Sequence, residues 1–167
     1  RASERLVQQL TQVSGRAGRG KLRGTVLVQT LYPDDAAYVR LASHDFDGFA
    51  TACLAERKAA GYPPYARFVL LRAESPRQAA PLSFLQAAQA RARSWLEAEQ
   101  AGDIQVMDPV PSPMERRAGR FRAQLLVSGR GRNRLHRFLE DWLAELERLK
   151  LARTVRWSVD VDPLDLY

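Results

Sequence analysis

Phe121-Arg122-Ala123-Gln124-Leu125-Leu126-Val127 is the stretch whose reading decides the fold. Phe121, Ala123, Leu125 and Val127 fall on one face of an extended chain, and Arg122 and Gln124, with Arg120 just before them, fall on the other. A period of two with one apolar face predicts a strand in a sheet that is packed on one side and open on the other. The open side is basic.

Similar signals lie on both sides of that strand. Ala66–Ala73 predicts a strand around Arg67-Phe68-Val69-Leu70-Leu71-Arg72. Ser75-Pro76 signals a helix start, with Gln78 at capping-box spacing, although Pro81 shifts that start by several residues. The helix then carries Leu82, Leu85, Ala88, Ala92, Trp95 and Leu96 as far as about Ala101. Ile104–Met107 reads as a short strand, and Asp108–Pro113, with prolines at 109, 111 and 113, as a loop. Asn133–Lys150 has an unbroken apolar stripe from Leu135 to Leu149, and Val155–Val161 alternates once more. The order is β-α-β-β-α-β. That is the split-βαβ, ferredoxin-like plan of an α+β domain, with an antiparallel sheet carrying both helices on one face.

Residues 1–62 read differently. A helix with Leu6, Leu10 and Val13 runs to about Gly15 and ends in a Gly/Arg loop. Thr25–Thr30 is β-branched and apolar, which predicts a buried strand. Asp35 offers an N-cap for a short helix near Ala36–Ala42, and Asp45 one for Phe46–Ala60, with Gly61 as the residue that ends it. One strand cannot close a sheet, so this block is expected to be a fragment of a larger α/β lobe. Pro63-Pro64-Tyr65 forms a stiff hinge, and 66–167 is the second domain. The chain opens at Arg1 in what already reads as helix, which predicts an excised C-terminal piece.

Composition narrows the classes. Lys and Arg total 26 against 19 Asp and Glu, a net charge of +7, and 23 of the 26 are Arg. Codon bias in a GC-rich genome accounts for much of the preference for Arg over Lys, but the excess positive charge still favours polyanionic partners. No apolar run is long enough to span a membrane, and no signal pattern is present. The lone Cys53 can form neither an internal disulfide nor a cysteine-based zinc site, and it suits a reducing, cytoplasmic setting.

Two places could carry chemistry or binding. Gln12-Val13-Ser14-Gly15-Arg16-Ala17-Gly18-Arg19 sets two arginines three positions apart after a helix, where they can share one helix-end surface. A planar guanidinium grips the spread charge of a transferring phosphoryl group well. A solvated basic cap is the plainer reading of the same residues. Gly15–Lys21 also spells the first seven places of a phosphate-binding P-loop, but Leu22 has no hydroxyl and the expected order is helix, loop, strand, so that reading is rejected. The second place is the basic strand face. Eight arginines and no acidic residue lie between Arg116 and Arg137, and Arg120, Arg122 and Gln124, flanked by Arg116, Arg117 and Arg130, could hold phosphates or a peptide carboxylate. A solvated polar face is again the plainer alternative. Asp160, Asp162 and Asp165 read as a strand-ending turn rather than a metal site, and no metal ligand set is assigned. His44 and His136 are isolated and receive no role.

The run Gln12–Arg19 resembles motif VI of superfamily 2 helicases. With Arg1–Arg5, Thr25–Thr30, Gly61-Tyr62-Pro63-Pro64, Asp108–Arg120, Gln124–Leu126 and Val155–Pro163, the chain resembles the C-terminal part of the bacterial replication-restart helicases, the primosomal protein N′ (PriA) family. The resemblance implies the end of a RecA-like helicase lobe 2 followed by a C-terminal domain similar to ribosomal protein S10. It implies an ATP-driven 3′-to-5′ DNA helicase that recognises stalled forks and starts primosome reassembly. Arg16 and Arg19 match the arginine-finger positions, and Gln12 and Gly15 the nucleotide-contacting ones. ATP and magnesium belong to the intact protein, as does zinc, whose ligands lie outside this chain. Arg120 and Gln124 match positions that hold the acidic tail of single-stranded DNA-binding protein, while Arg116, Arg117 and Arg122 are added from charge pattern alone. The expected partners are branched DNA, that tail and other primosome proteins, with no membrane. The ATP-binding lobe is missing, so the fragment alone is expected to hydrolyse no ATP. Two other readings are a non-catalytic ferredoxin-like module for nucleic acid or an acidic peptide, and, on fold analogy alone, a ribosomal or RNA-binding protein.

Overall fold

The computed structural model describes residues 2–17 and 25–166, with side chains in the first helix from Glu4 onward. The chain divides into two compact units, Arg1–Ala59 and Ala60–Tyr167. The sequence reading put the boundary a few residues later, at 63–65.

The first unit is helical: α1 (Ala2–Ala17), α2 (Ala36–Ala42) and α3 (Phe46–Ala60). The caps fall where the sequence put them. Asp35 accepts a hydrogen bond from the Ala37 backbone N–H at 2.8 Å, and Asp45 accepts one from Gly48 at 2.9 Å. Gly61, at φ +64°, follows the last turn of α3 in the left-handed conformation that ends a helix. The Arg57 guanidinium on α3 donates to Glu4 on α1 at 2.7 Å. Burial, with Glu4 and Glu56 nearby, pushes the Cys53 thiol above its ordinary range.

The predicted strand Thr25–Thr30 does not form. These residues belong to no sheet, and the Leu27 side chain is 93% exposed. A strand exists only when its N–H and C=O groups meet a neighbouring strand, and no other strand is present among the described residues of this unit. The RecA-like lobe fragment expected here is therefore not seen as a sheet.

The second unit is α+β, built on a five-stranded antiparallel sheet. Its elements are β1 (Arg67–Ser75), α4 (Ala80–Ala98), β2 (Ile104–Val106), β3 (Val110–Arg117), β4 (Arg120–Gly129), α5 (Arg132–Arg148), a 3-10 turn at Lys150–Thr154, and β5 (Arg156–Val161). The strand order is β2-β4-β1-β5, with β3 also pairing to β4. Leaving β3 aside, this is the split-βαβ order. The strand read first from the sequence is the hub: β4 pairs with β1 from Phe121 to Gly129 on one side, and with β2 and β3 on the other.

Two sequence expectations fail in this unit. Asp108–Pro113 is not simply loop, because Val110–Arg117 is a strand. Its prolines lack ladder donors, and an edge strand tolerates that loss, here with a register shift between Pro111 and Arg116. Ser75 also does not cap a helix. It is the last residue of β1, its hydroxyl donates to the Thr154 carbonyl at 3.1 Å, and α4 begins at Ala80 with a proline in its first turn.

The odd-numbered residues of β1 and β4 pack beneath the helices. Val69, Leu71, Leu125 and Val127 are sealed against Phe84 and Leu85 of α4 and Phe138 and Trp142 of α5. Trp142 Nε1 donates to the Ala88 carbonyl at 2.8 Å, which satisfies the one polar atom that this side chain buries. At Gly129 an added Cβ would lie 3.2 Å from the Leu135 side chain, so α5 approaches the end of β4 closely.

Candidate functional site

With the helices covering the odd face, the even residues of β4 are left on the other side of the sheet. Arg122 stands opposite Glu74 of β1, which stands opposite Arg156 of β5; Gln124 stands opposite Arg72, which stands opposite Ser158. Arg117 joins this face as the direct cross-strand partner of Arg120. The two are brought together by the turn Ala118-Gly119, with φ +48° and +76°, the two-residue hairpin connection that positive φ permits.

The face is basic but partly neutralised from within. Glu74 lies 3.9 Å from Arg120 and 3.6 Å from Arg156. Arg72 pairs with Asp160 at 2.9 Å and also donates to the Asp165 carbonyl at 3.3 Å. Gln124 donates to the Leu166 carbonyl at 2.8 Å. Arg117 and Arg122 make no ion pair with any described residue, so theirs is the positive charge least offset on this face. Arg117 is exposed and Arg122 half-buried, and guanidiniums without an ion pair suit carboxylate or phosphate oxygens.

The structure brings Arg117, Arg120, Arg122 and Gln124 together. It places Arg116 on the opposite face, where its guanidinium lies 5.2 Å from the centre of the Phe121 ring. The register shift in β3 turns Arg116 away, and sequence spacing gives no sign of it. Arg130 follows the far end of β4, roughly 30 Å along the strand from Arg120. Arg72, Glu74 and Asp160 belong to the face and were missed. Alternation in β1 was the available signal, since Arg72 and Glu74 alternate with Leu71 and Ala73 of the core under the helices, although the same face also buries Phe68 and Leu70.

In the first unit, Gln12, Gly15 and Arg16 all lie in the last part of α1 and are exposed. Gln12 and Arg16, four apart, share one side of the helix. A Cβ added at Gly15 would touch nothing within 4 Å. Arg19 lies outside the described residues. Among the described residues no group of three or more His, Cys, Asp or Glu is placed to hold a metal ion, and no helix is long and apolar enough to cross a membrane.

The family described as Primosomal protein N C-terminal domain matches residues 58–164. The chain is 34% identical over 167 residues to the replication restart protein PriA of Haemophilus influenzae, covering 99% of this chain and 22% of that protein. It is 34% identical over 168 residues to that of Synechocystis, covering 99% and 19%, and 30% identical to that of Rickettsia conorii, covering 100% and 24%. The chain thus spans about a fifth to a quarter of the length of these relatives. Among solved structures, a de novo designed protein aligns over 60% of the chain at 13% identity with a TM-score of 0.43.

Proposed function

We propose, because this chain belongs to the primosomal protein N C-terminal domain family, that it is the C-terminal part of a replication-restart helicase. The observation that carries the reading is the continuity of the similarity. Relatives named for replication restart align along the whole chain, through both units. In the intact protein, residues 60–167 form a docking domain, and residues 1–59 belong to the second motor lobe.

On this reading, Gln12, Gly15, Arg16 and Arg19 face ATP and magnesium held by the other lobe. Arg16 is exposed at the end of α1, as a group reaching for a phosphate outside its own unit must be. Its delocalised charge stabilises the transferring phosphoryl group, a contribution of about 10³–10⁵-fold in nucleotide hydrolases that use an arginine finger. The open sheet face takes acidic partners through Arg117, Arg120, Arg122 and Gln124: the phosphates of branched DNA and the acidic tail of single-stranded DNA-binding protein. Phosphate contact gives binding a steep salt dependence, whereas peptide contact gives a shallower one.

The test uses the full-length protein. Arg16→Ala should reduce DNA-stimulated ATP hydrolysis by at least about a hundredfold while fork binding persists. Unchanged hydrolysis would remove this unit from the motor.

A further inference from the structure

After β5 the chain does not leave the sheet. Asp162 adopts φ +54°, a left-handed conformation that Asp tolerates better than most residues, and the backbone turns back there. Its N–H donates to the Phe68 carbonyl at 2.8 Å, and its carboxylate pairs with Arg67 at 3.0 Å. Pro163 is buried. The Asp165 carbonyl then accepts from Arg72, and the Leu166 carbonyl from Gln124. Two backbone carbonyls of this segment therefore occupy donors on the face that carries Arg117, Arg120 and Arg122.

The segment also has the chemistry that face selects. Asp162-Pro163-Leu164-Asp165-Leu166 holds two carboxylates with apolar residues beside them, and it follows a surface where five arginines (72, 117, 120, 122 and 156) outnumber the carboxylates Glu74 and Asp160. We propose that Asp162–Leu166 is a displaceable internal occupant of the peptide-binding face, which an acidic peptide must push aside to reach Gln124 and Arg72. The proposal rests on the reading of that face as a docking surface for an acidic peptide. An attached segment competes at a high effective concentration, so it weakens an incoming peptide without any change elsewhere in the fold. The hydrogen bonds that Arg72 and Gln124 donate to its carbonyls are of the kind an incoming backbone can replace.

The test measures binding of a fluorescein-labelled peptide, Asp-Val-Asp-Pro-Leu-Asp-Leu, to the full-length protein and to the same protein lacking residues 163–167. The shortened protein should bind the peptide about tenfold more tightly. A second variant, Pro163→Gly, keeps the length of the chain and loosens the segment, and it should bind about threefold more tightly. Thermal unfolding of each variant identifies any that fails to fold. If all three proteins bind the peptide equally, the internal occupant is overturned and the docking face stands. If none binds it, the docking reading falls as well.

Discussion

The two units have equally clear helical patterns and very different interiors. In the second, Val69, Leu71, Phe84, Leu125 and Trp142 are sealed between sheet and helices. In the first, Val7 is the one buried apolar side chain among the described residues, α2 and α3 bury none, and Leu27 and Leu31 are 93% and 90% exposed. Amphipathic periodicity establishes that a helix forms, but burial depends on an opposing layer. Residues 60–167 contain that layer, and the described residues of 1–59 do not.

This contrast can be broken most severely at Trp142. Trp142→Ala opens a large cavity and removes the indole N–H that donates to the Ala88 carbonyl, so unfolding in denaturant should lose about 3–5 kcal/mol. A smaller loss would mean that the second unit is looser than its packing indicates. Ala118 sharpens the contrast in the other direction. Its positive φ strains an L-residue, and Ala118→Asn should raise stability by about 1 kcal/mol, read as a higher denaturant midpoint. No gain would place the turn outside the cooperative unit. The smallest effect belongs to Leu27. With so little of it buried, Leu27→Ser should change the stability of this chain by less than about 0.5 kcal/mol, and a larger loss would reveal a core in the first unit.

The sequence was most legible where each element answers to its own neighbours. The alternation of β4 correctly sorted Leu125 and Val127 inward and Arg122 and Gln124 outward, and Asp35 and Asp45 announced their helices through local hydrogen bonds. It was least legible where pairing decides. Thr25–Thr30 has strand composition but no partner strand among the described residues, and Val110–Arg117 has loop composition but the long edge of β4 to pair with. The candidate site followed the same rule. Arg120, Arg122 and Gln124 were readable from one strand, whereas Arg72 and the returning segment Asp162–Leu166 depend on register and a single backbone turn.

The most direct test is amide hydrogen exchange on residues 1–59 and 60–167, in this chain alone and within the full-length protein. The account predicts that β1 and β4 exchange equally slowly in both, while α1 and α3 exchange quickly in the short chain and become protected only in the long one. Equal, strong protection of α1 and α3 in the short chain would contradict it, because residues 1–59 would then hold themselves together with no lobe to complete.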